Sequence, residues 1–140
     1  MARARTQKSL VLILAREFAS RLVTPMLIVD ELGSLVFYNE SAEEVIGRTF
    51  AEAGEMPASE WGMLFQIEDP AGGPLPPEQL PVSIALADRR PAHAAVRFVA
   101  LDGTRRTASV TAFPLFAHPD DLSGVVLIFW EEPDPATPER

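Results

Sequence analysis

Three features of this 140-residue sequence predict an α+β fold built on one antiparallel sheet. Two short apolar runs stand near the start and three longer ones near the end, with a helical middle between them; runs of strands around helices imply α+β rather than alternating α/β. Two turn signals, Asp30-Glu31-Leu32-Gly33 and Asp102-Gly103, join neighbouring runs as hairpins. The final run, Val125 to Trp130, is apolar at every position, whereas a strand with one wet face alternates. Both faces of that strand therefore need cover.

Residues 8–22 read as a helix, with Val11, Leu14, Ala15, Phe18 and Leu22 on one stripe. Leu10, Leu12 and Ile13 widen the stripe until the first half is apolar nearly all round, and Pro25 follows the end. Met26 to Val29 and Leu35 to Tyr38 read as a hairpin. Ser41-Ala42-Glu43-Glu44 reads as a capping box that opens a short helix, with Gly47 as its C-terminal stop. Residues 48–60 read as loop with one helical turn at most, and Trp61 to Ile67 as a mixed, strand-like stretch. Asp69 to Pro74 is a turn. Pro76-Pro77-Glu78 opens a helix that accommodates Pro81 early, carries Leu80, Ile84 and Ala87 on one side, and ends at Arg89-Arg90 before Pro91. Ala95 to Leu101, Thr104 to Phe116 and Gly124 to Glu131 are the closing strands. Asp102-Gly103 reads as a two-residue hairpin turn, and Pro114 marks an edge or a strand end. Asn39, polar at a strand end, is read as a bridge into the next helix. The helix over 10–23 is the obvious lid for the second face of strand 125–130, and its remaining apolar surface suits a second copy of the chain.

Composition narrows the function classes. With 47% hydrophobic and 23% charged residues, one domain can bury its own core. No cysteine is present, which excludes disulfides, iron–sulfur clusters, cysteine-rich zinc sites and thiol nucleophiles. The net charge is −8, so the acidic body repels phosphate backbones and no nucleic-acid partner is expected. The basic residues Arg3, Arg5 and Lys8 fall in the first nine positions, which read as a solvated tail. Leu10 to Ala15 is too short and too soon ended by Arg16 and Glu17 for a secretory signal, and no run approaches the ~20 apolar residues of a membrane span. A soluble, unprocessed cytoplasmic chain is expected, with no membrane contact. Residues 132–140 read as a disordered acidic, Pro-rich tail. Eleven arginines against one lysine suit a GC-rich bacterial genome.

The order of these elements resembles a PAS domain. LVTPMLIVDELGSLVFYNESAEEVIG (residues 22–47) resembles the PAS opening: strand, Asp, Gly turn, strand, Asn and a helix ending at Gly. DPAGGPLPPEQLPVSIALADRRP (residues 69–91) is similar to a stretch of bacterial PAS sensors in which a Gly-Pro turn and Leu-Pro lead into a helix beside the ligand pocket. LDGTRRTASVTAFPLF and GVVLIFW resemble the last PAS strands, and the likeness covers residues 10–131. It implies a five-stranded antiparallel sheet flanked by short helices around a small pocket, capped by the N-terminal helix. It also implies a sensory or regulatory role in which a ligand or partner alters the sheet surface and the flanking helix passes the change on. The alternative within the family is a ligand-free interaction and dimerisation module.

The residues limit the chemistry further. Photoactive flavin and covalent chromophore branches of the family need a cysteine, so neither is expected. Haem-binding members use a histidine on the helix before the third strand; residues 78–90 contain none, and His93 lies beyond Pro91. No metal site is expected from His93 and His118. No catalytic residue is expected, because no Ser–His–Asp spacing, nucleophile elbow or phosphate loop occurs. Asp30 reads as a turn residue bonding its own backbone. Val45, Ile46, Phe50, Trp61, Met63, Phe65, Leu80, Ile84, Val110 and Phe129 are candidate pocket lining, each equally suited to a solid core. Ala108, Ser109 and Ala112 leave room in the sheet on whichever face points inward. Flat apolar or aromatic ligands, an acyl chain or an unbound flavin among them, suit such a lining. Val11, Leu14, Phe18 and Leu22 are the candidate homodimer or partner interface. With no effector segment in these residues, the expectation is that the domain acts through another protein or is one domain of a larger one, with regulation of transcription as one outlet.

Overall fold

The computed structural model describes the backbone of residues 2–132 and the side chains of residues 10–132. Its elements in order are α1 (Ala2–Ser20), β1 (Met26–Asp30), β2 (Leu35–Tyr38), α2 (Glu40–Ile46), α3 (Phe50–Ala53), α4 (Ala58–Leu64), a 3₁₀ turn (Pro77–Gln79), α5 (Pro81–Asp88), β3 (Ala92–Val99), β4 (Arg105–His118) and β5 (Asp121–Glu132). The five strands form one antiparallel sheet in the order β2-β1-β5-β4-β3. β5, the most apolar strand, lies at the centre.

That central position explains its composition. Val125, Leu127 and Phe129 face inward with Leu27, Val29, Ala108 and Ala112, against Trp61, Phe65, Val82 and Ala85 of α4 and α5. The alternate residues Val126 and Ile128 face outward with Met26 and Ile28; α1 covers them with Leu12, Ala15 and Ala19, and Leu22 just past its end adds to the cover. Both faces of β5 are dry, as its lack of alternation requires. Arg16 fixes the lateral position of α1: its guanidinium carbon lies 4.6 Å from the ring centre of Phe37 and 5.7 Å from that of Phe50.

Asn39 joins the two layers. It is buried, and its carboxamide oxygen accepts from the amides of Met26 and Ala42, both at 3.0 Å. Its Nδ2 donates to the carbonyls of Ala19 (2.9 Å) and Thr24 (2.8 Å). One side chain thus caps α2, starts β1 and holds the end of α1.

Several local expectations are corrected. The capping residue of α2 is Asn39, not Ser41: α2 begins one residue before Ser41, and Glu43 accepts from the amide of Phe50 at 2.8 Å. Residues 61–67 are not a strand. Trp61 and Phe65 are buried while Met63 is exposed, which is the i, i+4 spacing of a helix. The helix starts at Ala2 rather than residue 8, since Ala, Arg, Gln and Lys are good helix formers even without an apolar stripe. The helix also ends at Ser20, short of residues 22–23. Pro81 opens α5 as its first residue, with Leu80 as its cap. Pro114 pairs with Val125 beyond the end of β3, whose first residue pairs with Ala112, so the outer side of Pro114 is a sheet edge. The acidic tail expected over 132–140 lies outside the described residues apart from Glu132, the last residue of β5.

The β3–β4 connection is a three-residue loop. Gly103 donates to the Ala100 carbonyl and Ala100 to the Thr104 carbonyl, leaving Leu101, Asp102 and Gly103 (φ +89°) in the loop. Hydrogen bonds from Thr104, and the nearby Arg106, hold the Asp102 carboxyl below the usual carboxylate range. Gly47 (φ +92°) ends α2 against this loop; a Cβ there would stand 2.8 Å from the Asp102 backbone nitrogen, whereas one on Gly103 would meet open space.

Two predictions follow from these contacts, both read by urea denaturation. Gly103→Ala should cost about 1 kcal/mol, the left-handed penalty alone. Gly47→Ala should cost at least about 2 kcal/mol because backbone must also move; equal costs would refute the steric account. Asn39→Ala should lose about 3 kcal/mol by leaving buried donors and acceptors unpaired, and Asn39→Asp should be no better, since its carboxylate faces two carbonyls. A parent-like midpoint for either Asn39 variant would show that this side chain does not hold the layers together.

Candidate functional site

Between the inner sheet face and the helices lies a cavity of about 80 Å³ lined only by apolar residues. Leu27, Leu127 and Phe129 of the central strands form its floor with Ala108 and Val110 of β4 and Val96 and Phe98 of β3. Pro81 and Val82 of α5, Leu80, Ile67, Trp61 and Phe65 close it above, and Ile46 closes one end. Ala108 and Val96, paired in register across β4 and β3, both line it, and the alanine contributes only a methyl group there.

The closing segment is tied down at several points. Trp61 Nε1 donates to the Gly33 carbonyl at 2.8 Å, fixing α4 to the β1–β2 turn. Val99 donates to the Phe65 carbonyl at 2.8 Å, and the rings of Phe65 and Phe98 meet edge to face at 6.1 Å. Glu68 and Arg97 exchange both backbone hydrogen bonds, and the Arg97 guanidinium grips the Glu68 carboxylate at 2.7 Å.

No titratable side chain lines the cavity, so it holds no acid, base or nucleophile. Tyr38, in the same inner core, donates its hydroxyl to the Arg48 carbonyl at 2.8 Å; burial first, then the Glu43 carboxylate, push its pKa up to about 12. His93 stands on the outer face of the sheet, where Nδ1 meets Thr111 Oγ1 at 2.7 Å beside Trp130. The sheet separates it from the cavity. Among the described residues no three His, Cys, Asp or Glu side chains converge as a metal site, and no helix is long and apolar enough to cross a membrane.

Seven of the twelve candidate lining residues meet at the cavity: Ile46, Trp61, Phe65, Leu80, Ala108, Val110 and Phe129. The other five do not border it. Val45 and Ala112 are buried in solid core. Phe50 packs edge to face on Phe37 and Tyr38. Ile84 is half-buried on α5, and Met63 is 80% exposed. Strand 104–116 turns Ala108, Val110 and Ala112 inward and Ser109 and Thr111 outward. Leu27, Ile67, Pro81, Val82, Val96, Phe98 and Leu127 were not anticipated as lining. Once Ala108 and Val110 are known to face inward, their cross-strand partners Val96 and Phe129 follow from the register. On α1, Leu14 and Phe18 are 59% and 60% exposed and Val11 is half-buried; Leu22, beyond the end of the helix, packs against the sheet.

The same architecture recurs in solved structures. A PAS domain from Colwellia psychrerythraea superposes with TM-score 0.62 at 14% identity, covering 87% of this chain and 97% of that one. The PAS domain of nitrogen regulation protein NR(II) from Vibrio parahaemolyticus gives TM-score 0.59 at 17% identity over 85% and 98%. The Rhodobacter sphaeroides LOV protein gives 0.67 at 14% identity over 90% and 70%. The chain has the PAS fold. No protein-family model and no curated protein matches it in sequence.

In this PAS fold the size of the cavity decides what it admits. An apolar cavity of ~150 Å³ takes benzene, and drug-sized ligands need ~300 Å³ or more. The space of about 80 Å³, as it stands, has room for only a few heavy atoms, and a flavin or an acyl chain would need its walls to move. Two overpacking variants separate cavity from solid core. Ala108→Leu should change stability by less than about 1 kcal/mol because its added methyl groups enter empty space. Ala112→Phe, in solid core, should cost roughly 1–3 kcal/mol or more. The reverse order in thermal melts would show that the cavity is not where it is drawn here.

Proposed function

We propose that this chain is a sensory and regulatory PAS module, cytoplasmic and bacterial, that acts through protein contacts: a homodimer formed on α1 and an effector protein that receives the signal. The observation that carries this reading is the second face of α1. While Ala15 and Ala19 pack on the sheet, Leu10, Ile13, Leu14 and Phe18 stand exposed. Leu14 and Phe18 lie two residues either side of Arg16, about 200° around the helix from it. Since Arg16 points to β2, that flank points toward the other half of the sheet, where Phe113 and Trp130 are also exposed. An apolar patch shared between a helix and a sheet is costly in water and suits an isologous two-fold contact.

The neighbours support a signalling role by analogy. One is named as the PAS domain of nitrogen regulation protein NR(II), another as a PAS domain from a two-component sensor histidine kinase. Fold alone does not carry function, so the apolar flank is the stronger support. Regulation of transcription is one outlet for such a module.

A second reading is favoured by the cavity: a small apolar molecule enters it and shifts the sheet. Mass spectrometry of extract from denatured protein tests that reading, and recovery of nothing beyond solvent would leave the contact-based reading alone.

For the dimer, Leu14→Glu combined with Phe18→Glu should convert a dimer to a monomer in light scattering. Both side chains are exposed, so the melting temperature of the fold should stay within a few degrees of the parent's apart from the loss of dimer linkage. A parent that is monomeric at high concentration, or a double variant that remains dimeric, would sink the proposal.

A further inference from the structure

A second apolar surface lies on the side of the molecule opposite α1. A groove of about 790 Å³ runs between α4, α5 and the β1–β2 turn, with Leu32, Trp61, Met63, Leu75, Leu80 and Leu86 among its lining. Leu32 is 78% exposed and Met63 80% exposed. No charged side chain lines it, and Ser59 and Ser83 supply its only side-chain hydroxyls. Two hydroxyls in so long a groove leave most of its wall apolar, which suits an extended apolar surface better than a compact polar ligand. No strand edge borders it, so strand addition is not available either. What remains is a helix that lays apolar side chains into the groove. Met63 suits that use, since its unbranched thioether adapts to varied surfaces.

Charge selects the kind of helix. Residues 23–88, which build the whole helical layer, contain one basic residue, Arg48, against twelve acidic ones. Exposed Glu31, Glu60 and Glu78 adjoin lining residues along the chain. The nearest cations in sequence are engaged elsewhere: Arg90 pairs with Asp88, and Arg89 donates to the Asp120 carbonyl. We propose that this groove docks a basic amphipathic helix of a partner protein, with its apolar side chains between α4 and α5 and its cations on the acidic shoulders. This goes beyond the reading above, because it concerns the opposite face of the molecule and does not require a dimer. The two surfaces are nevertheless connected. Trp61, Ile67, Leu80 and Val82 line both the groove and the inner cavity, so a docked helix presses on the cavity wall.

The test uses the whole chain and two fluorescent synthetic peptides that share leucines at i, i+3, i+4 and i+7. In one the polar positions are Lys and Arg; in the other they are Glu. Fluorescence anisotropy should show saturable binding of the basic peptide, at least about tenfold tighter than the acidic one and weakened by salt. Leu32→Arg and Met63→Arg should each weaken it about tenfold. Both positions are exposed, so unchanged thermal melts serve as the folding check. Val23→Arg adds the same charge at another exposed site, just before β1 rather than just after it, and should change affinity less than twofold. Equal binding of both peptides, no saturable binding, or equal weakening by Val23→Arg and Met63→Arg would overturn the proposal. Light scattering on the same samples reports the dimer separately, so failure here and failure of the α1 interface are distinguishable.

Discussion

The carboxamide of Asn39 satisfies backbone groups at the end of α1, at the start of β1 and in the first turn of α2, and the placement of α1 depends on it. A donor and an acceptor on one rigid plane are needed, because the Ala19 and Thr24 carbonyls lie on one side and the Met26 and Ala42 amides on the other. Asp lacks the donor, and Ser is too short to serve both sides. Because the site is buried, each unmade bond would cost more than a surface hydrogen bond contributes. The helix covering the outer sheet face, the strand beside β5 and the helix entering the inner layer are thereby set relative to one another by one residue.

From that placement the two faces of β5 acquire different roles. Leu127 and Phe129 border the cavity, while Val126 and Ile128 lie beneath α1. A strand's alternate side chains share one backbone, and a close-packed interior does not absorb displacement locally. Any molecule that moves β5 from the inside therefore moves the seat of α1 on the outside. The contact needs no loop rearrangement and no titrating group. It needs only that the cavity be slack enough to fill and the α1 seat tight enough to respond, and the tight packing around Ala19, fully buried in that seat, meets the second condition.

The sequence makes the strands legible where chemistry constrains them from both sides. The β1–β2 hairpin is readable because Asp30 serves as its own turn: Oδ1 accepts from the amides of Leu32 and Ser34 at 3.0 and 2.9 Å. The lid role of the N-terminal helix is readable because a doubly apolar strand must be covered. What is hidden depends on tertiary choice. Ser41 and Asn39 are both good caps, and only the position of the Ala19 and Thr24 carbonyls selects Asn39. Trp61 to Ile67 is short and mixed enough to pass as a strand, and the deciding fact, burial of Trp61 and Phe65 four apart, lies in three dimensions. The lining was half legible for the same reason. Residue type identifies apolar candidates, but only register shows that Ala108 borders empty space while Ala112, four residues on, is in solid core.

The wall between cavity and groove carries the argument one step further. Trp61 is anchored by its indole N–H to Gly33, and Val82 by its place in the first turn of α5, so these two are held from outside the cavity. Ile67 and Leu80 sit at the two ends of the segment between α4 and α5, and Gln66 enters it with φ +48°, a conformation that a side chain adopts at a cost. The inner end of that segment is clamped to β3 by Glu68 and Arg97. The wall is thus fixed at its helical parts and at one end of the connecting segment. The stretch from Gly72 to Leu80 is tied as well: Gly72 donates to the Asp69 carbonyl, Pro74 bridges to Glu68, and Gln79 and Leu80 close the 3₁₀ turn. Enlarging the small cavity toward the groove by moving α4 or α5 as a whole would break the Trp61–Gly33 bond or unpack Ala85 from the inner core.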